Sequence, residues 1–233
     1  MQTNFFSYRL LIVVLIGIFI SYLVQGLSPL RINTDSVAYL HMARSAWLGQ
    51  GFMVAETTSY FPKGYSALLS LLHSIGLATP FMFVLLNTLF LFSGAFVYYF
   101  VFRNEYGLNR VQGLFLIIFI SLSYVSLKHT VITVSETAFF FVSSTVLFSL
   151  HVAKDKNRNR WIMLIVSLAL AAEAFWIRTI GISLIPAILF SILVRAGQLN
   201  PVELLKDYRT YLGLLLIGLV FSITLYAIAP YTT

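Results

Sequence analysis

Apolar runs that approach or exceed the roughly 18 residues needed to cross a bilayer recur along this 233-residue chain. Seven spans of about 20 residues each would use about 140 of its positions. Only 10% of the residues are charged and 59% are hydrophobic, whereas a soluble domain carries about 25% charged residues. A soluble enzyme, a disordered regulator and a disulfide-stapled secreted domain are all excluded. The absence of cysteine removes disulfides and thiolate metal sites. The pattern predicts an all-α membrane protein with about seven transmembrane helices.

The spans are expected at about 10–28, 80–102, 112–127, 131–152, 161–177, 179–195 and 210–229. The stretch from Leu10 to about Val24 is long for a signal peptide and lacks a small-x-small cleavage site, so it reads as an uncleaved first span. Tyr65–Leu77 is apolar but only about 13 residues long, which suits a short re-entrant or interfacial helix. The net charge of +7 reads as membrane topology, because Lys and Arg gather in cytoplasmic loops, and not as nucleic-acid binding. With the N-terminus cytoplasmic, ten of the 15 Lys and Arg fall inside, many in the loop KDKNRNR. Arg31, Arg44, Lys63, Lys128 and Arg178 fall outside.

This topology gathers Asp35, Glu56, Glu136, Lys63, Lys128 and Arg178 at the external face, where charges beside a membrane become functional candidates. In the first external loop, Asn33-Thr34-Asp35 offers N-caps for an amphipathic interfacial helix over Ser36 to about Leu48. Val37, Leu40, Ala43 and Trp47 share one helical face, and Gly49 and Gly51 end the helix. Asp35 sits at its mouth with Tyr39 one turn on; N-capping alone is its plainer role.

Three further signals follow. YFPKGY, Tyr60 to Tyr65, turns the chain at Pro62 and Gly64 and leaves Lys63 at the interface, where a lysine can simply snorkel to headgroups. Thr133-Val134-Ser135-Glu136 has capping-box spacing, so Glu136 can serve a helix start or a site, with Lys128 and His129 just before it. Arg178, at the outer junction of the fifth and sixth spans, offers a planar fork suited to phosphate or a helix-end anchor. Glu173, deeper in the fifth span, needs a partner or a proton. Phe139-Phe140-Phe141 reads as lipid contact, and four dispersed histidines give zinc little support.

Taken in order, these segments resemble the polyprenyl-phosphate-dependent glycosyltransferases of the GT-C fold, in the protein O-mannosyltransferase and aminoarabinose transferase branch. The matching run is TDSVAYLHMARSAWLGQGF, in which Asp35, Tyr39, Ala43, Gly49, Gly51 and Phe52 fill the places of that family's acidic residue, tyrosine, alanine and Gly-x-Gly-aromatic. YFPKGYSALLSLLHSIG is similar to its Tyr-Pro-Pro-Gly segment and the apolar helix after it. Ser135-Glu136 and Arg178 fall where the family tends to carry an outer Glu and Arg. Two departures stand out: Ser36 follows Asp35 where many relatives have a second acid, and Lys63 replaces a proline. The likeness spans most of residues 1–233, as a single transmembrane domain similar to the family's N-terminal catalytic module. Such enzymes continue beyond their seventh span, so ending at Thr233 implies a truncated, fragmentary or minimal form.

The resemblance implies a polyprenyl-phosphate-linked sugar delivered to a lipid, glycan or protein acceptor at the external face, with a bacterial inner membrane as the setting. It implies Asp35 as the base, Arg178 with Lys63 and Lys128 on the lipid phosphate, and Glu136 and Tyr39 in substrate binding. It names no certain cofactor and leaves a divalent metal open. The competing readings are a transporter or flippase for a lipid-linked solute, and a catalytically silent accessory subunit on the same fold.

Overall fold

The computed structural model describes residues 3–55, 57–153 and 160–195. It divides into two units, Met1–Ile188 and Leu189–Thr233, and every side chain discussed below lies in the first. Glu56, most of the KDKNRNR loop and the expected span at 210–229 lie outside the described residues.

The architecture is mostly helical. Helix α1 (Thr3–Gln25) is followed by α2 (Thr34–Trp47), strands β1 (Met53–Val54) and β2 (Thr57–Thr58), α3 (Gly64–Ser74) and α4 (Pro80–Tyr106). Then come α5 (Arg110–Leu122), α6 (Tyr124–Thr130), α7 (Glu136–Val152), α8 (Arg160–Ile177), a 3-10 turn (Thr179–Ser183) and α9 (Leu184–Arg195). The fold is all-α as expected apart from a small antiparallel hairpin that pairs Met53 with Thr58 and Val54 with Thr57.

The chain is a membrane protein by its apolar helices, but among the described residues two or three candidate spans stand where six of the seven expected ones fall. Tyr8–Gln25 and Pro80–Tyr106 are long and apolar enough to cross a bilayer. A third span exists if α5 and α6, bent by 58°, are taken as one. The expected helix at 112–127 breaks because Ser123 is extended and its hydroxyl accepts from the Ser126 N–H at 3.2 Å, starting a new helix. The span expected from residue 131 starts instead at Glu136. Its 17 residues reach about 26 Å at 1.5 Å per residue, short of a core of roughly 30 Å. The apolar part of α8, Ile162–Ile177, is also shorter than a full span.

Packing follows the small and aromatic residues. The helices α4, α7 and α8 stack side by side, with α2 and α3 together beside them and α1 against α4 and α5. One core joins Tyr39, Met42, Tyr65, Leu69, Ala138, Ala174 and Ile177. A second joins Leu15, Ile18, Tyr22, Leu91, Phe92 and Ile117. Phe140 stacks on Tyr98 with centroids 5.4 Å apart, and Phe141 stacks on Phe90 at 5.6 Å. The Phe139–Phe141 run therefore joins α7 to α4 and is half-buried, not simply lipid-facing.

Polar contacts gather at two opposite poles of the helices. His151 near the end of α7 meets Glu105 near the end of α4, with Nδ1 and Oε1 2.6 Å apart. The start of α7 and the end of α8 meet at the opposite pole, where the first loop also docks through a parallel bridge between Arg31 and Ile132.

Candidate functional site

Helix α2 begins two residues earlier than expected, and Asn33 caps it. Its Oδ1 accepts from the Ser36 N–H at 2.8 Å and from the Ser36 hydroxyl at 2.7 Å. Asp35 is thereby released from capping. It stands exposed in the first turn, and its carboxylate has no hydrogen-bond partner among the described residues. The buried face of α2 is carried by Ser36, Tyr39, Met42 and Ala43, while Val37 and Trp47 are exposed. The interfacial stripe expected from Val37 to Trp47 is thus split, because Ala43 turns into the contact with α3.

Tyr39 lies at the centre of the cluster. Its hydroxyl meets the Ser135 hydroxyl at 3.0 Å, and its carbonyl accepts from the Ser66 hydroxyl at 3.1 Å. Burial pushes the Tyr39 phenol above its ordinary value. The Ser135 hydrogen bond and the Arg178 charge oppose that rise, while Glu136 and Asp35 add to it. Asp35, Glu136 and Arg178 therefore all act electrostatically on one hydroxyl.

Across from Tyr39, Arg178 Nη1 donates to Glu136 Oε1 at 2.6 Å. The capping box read from Thr133 and Glu136 is not formed. Ser135 is the cap residue without a side-chain cap bond, and the Thr133 hydroxyl is buried without a partner. The carboxylate is spent on Arg178 instead. His129 Nδ1 lies 3.8 Å from the same Oε1, outside hydrogen-bond reach, and Glu136 Oε2 is buried with no partner among the described residues.

Two polar residues hold this pole in place. Asn87, buried in α4, donates to the Ile132 carbonyl at 2.9 Å and, more weakly, to that of Thr130 at 3.4 Å. Its Oδ1 accepts from the Tyr65 hydroxyl at 2.9 Å and from Thr137 at 3.1 Å. One amide thus ties α3 and α4 to the loop before Glu136 and to the first turn of α7.

Close backbone approach fixes Arg178 and Lys63. A Cβ on Gly64 would sit 3.0 Å from backbone atoms of Trp176 and Ile177, and one on Gly181 would sit 2.4 Å from the backbone of Ala174 and Phe175. Gly64 therefore brings the start of α3 against the end of α8. Lys63 and Arg178 are each one residue from that crossing. Lys63 is half-buried and Lys128 is exposed on α6, and neither side chain has a hydrogen bond or ion pair among the described residues.

Glu173 lies on the exposed side of α8, because the buried side is carried by Leu164, Ser167, Ala171, Ala174 and Ile177. It has no partner among the described residues, so it does not join the cluster. Among the described residues no group of three His, Cys, Asp or Glu is placed to hold a metal.

Two cavities border the site. A groove of about 770 Å³ runs between the start of α2 and the hairpin, lined by Asn33, Thr34, Val37, Val54, Tyr60 and Phe61. A smaller cavity of about 100 Å³ between α6 and α7 is lined by Leu91, Ile120, His129, Glu136 and Phe140.

Sequence reasoning located Asp35, Tyr39, Glu136 and Arg178, and it missed the parts played by Ser135, His129 and Asn87. An isolated amide in the otherwise apolar helix of residues 80–102 was the available signal for Asn87. No protein-family model, curated protein or solved structure matches the chain.

Proposed function

We propose that the chain is a membrane glycosyltransferase of GT-C type that moves a sugar from a polyprenyl-phosphate carrier to an acceptor at the external face. The observation that supports this reading most is the convergence of Asp35, Glu136 and Arg178 on Tyr39, at the pole where α3 crosses the end of α8. An exposed carboxylate without a hydrogen-bond partner and a guanidinium both act on that one hydroxyl, which matches the base and the phosphate ligand such a transfer needs.

Asp35 takes the proton of the acceptor hydroxyl. The acceptor oxygen then bonds to the anomeric carbon as the carbon–oxygen bond to phosphate breaks. The electron pair of that bond goes to the phosphate oxygen, and the diester becomes a monoester with one more negative charge. Arg178 and Lys63 stabilise that charge as it develops. One direct displacement inverts the anomeric carbon. Glu136 fixes the Arg178 fork, and the groove beside Asn33 and Thr34 admits the acceptor next to Asp35. The N-terminus is cytoplasmic, and the membrane is a bacterial inner membrane.

The test is release of free polyprenyl phosphate from a panel of polyprenyl-phosphate-linked sugars, followed by mass spectrometry. Wild type releases it, and Asp35→Asn loses release while retaining the lipid. Translocation of intact donor with no bond breaking would point to a transporter, and near-normal release by Asp35→Asn would remove Asp35 from the base role.

A further inference from the structure

A histidine stands beside the ion pair at the centre of the site. His129, in the last turn of α6, stands 3.8 Å from the same Glu136 oxygen that Arg178 holds at 2.6 Å. Its Nδ1 and Glu136 Oε2 are both buried without hydrogen-bond partners. A carboxylate with a free, desolvated oxygen beside an imidazole is an open position for one more proton-bearing donor. We propose that His129 is a positioning residue that controls how firmly Glu136 holds Arg178, and hence how strongly Arg178 binds the phosphate of a lipid carrier. The inference rests on the reading of Arg178 as the phosphate ligand.

The sign follows from the charges around it. With neutral His129, Glu136 and Arg178 cancel each other, and the guanidinium is committed to the carboxylate. With a proton on His129, Nδ1–H can donate to Glu136, the carboxylate is shared between two cations, and the corner gains one positive charge. Both effects favour a bound anion at Arg178. Of the surrounding groups, α6 itself adds Lys128, α7 adds Glu136, the end of α8 adds Arg178, and α2 adds Tyr39 with Asp35 beyond it. The helices α4 and α5 line the cavity next to His129 with apolar Leu91 and Ile120. Glu136 is the carboxylate His129 meets, so protonation acts through it. Histidine gains its charge between about pH 5 and 8, which sets the range to examine.

The experiment measures binding of a dialkyl phosphate in detergent to the full chain at about pH 5.5 and about pH 7.5. A phosphodiester lacks the second acidic proton that a monoester loses near about pH 6, so its own charge stays constant. Wild type should bind about threefold to tenfold more tightly at the lower pH. His129→Gln should be flat with pH and weak, and His129→Lys, with a permanent charge, flat and tight. The Lys variant restores binding only if charge, and not the imidazole's shape, is what matters. Wild-type binding equal at both pH values, or a pH dependence surviving in His129→Gln, overturns the inference and leaves the proposed function standing. Absence of wild-type binding at either pH overturns both.

Discussion

Arg178 Nη1 sits 2.6 Å from Glu136 Oε1, joining the residue that follows α8 to the first residue of α7. The two helices already pack along their length, so the pair closes the end they share at this pole. It leaves the rest of the guanidinium fork available to an anion. Arg178→Ala should weaken binding of a phosphodiester lipid by about tenfold or more, the worth of a charge-assisted hydrogen bond. Arg178→Lys should recover only part of it, because a point charge lacks the fork. Titration of the lipid against the purified variants checks both.

The Asn87 amide bridges Tyr65, Thr137 and the Ile132 carbonyl inside the protein. Asn87→Ala leaves two buried hydroxyls and a carbonyl without their partner, and should cost about 3 kcal/mol of stability. Denaturant unfolding of the solubilised protein measures it. An unchanged midpoint would mean that other hydrogen-bond partners replace the amide.

Gly64→Ala forces the start of α3 away from Trp176 and Ile177, where the neighbouring atoms are backbone and cannot rotate aside. It should cost about 1–2 kcal/mol and weaken anion binding together with it, since Lys63 and Arg178 flank that contact. Gly17→Ala, in the middle of α1 with no neighbouring side chain or other helix within 4 Å of the added methyl, should leave anion binding unchanged and should not lower stability. Thermal unfolding and lipid titration of the two variants side by side make the comparison.

His73 in α3 stacks on Trp47 with centroids 5.5 Å apart. Burial, with the nearby Arg44 charge adding to it, holds its imidazole below the ordinary value. The folded chain therefore takes up this proton less readily than the unfolded chain. Stability is complete above the ordinary histidine range, about pH 6.5, and declines as pH falls through the lowered folded value. His73→Phe, which keeps a ring against Trp47, should reduce the loss of melting temperature between about pH 7.5 and 5.5. A slope equal to wild type would assign the acid sensitivity to other groups.

Much of this arrangement was legible in the chain. Apolar runs located α1, α3, α4, α7, α8 and α9, capping residues and helical spacing located α2, and Tyr39, Glu136 and Arg178 were singled out before the structure brought them together. Local rules failed where a tertiary partner outbid them. Thr133-x-x-Glu136 spells a capping box, yet Arg178 takes the carboxylate. Asp35 and Asn33 are both good caps, and only the three-dimensional structure shows that Asn33 does the capping. The break at Ser123 was hidden because Leu122 and Tyr124 continue the apolar run that marks a span. The crossing at Gly64 looked like a turn, since a sequence does not display which backbone lies 3.0 Å away. Glu173 seemed buried because its neighbours are apolar, but it faces out from α8.

The central claim is that this pole binds a lipid-linked phosphate and acts on it through Asp35. Native mass spectrometry of the full chain with polyprenyl phosphate tests the first half without a choice of sugar, with wild type, Asp35→Asn and Arg178→Ala compared directly. The account predicts a specific complex for wild type, an equal one for Asp35→Asn, and one weakened by about tenfold or more for Arg178→Ala. Well-folded wild type that forms no such complex, or an Arg178→Ala variant that binds as tightly as wild type, would contradict it.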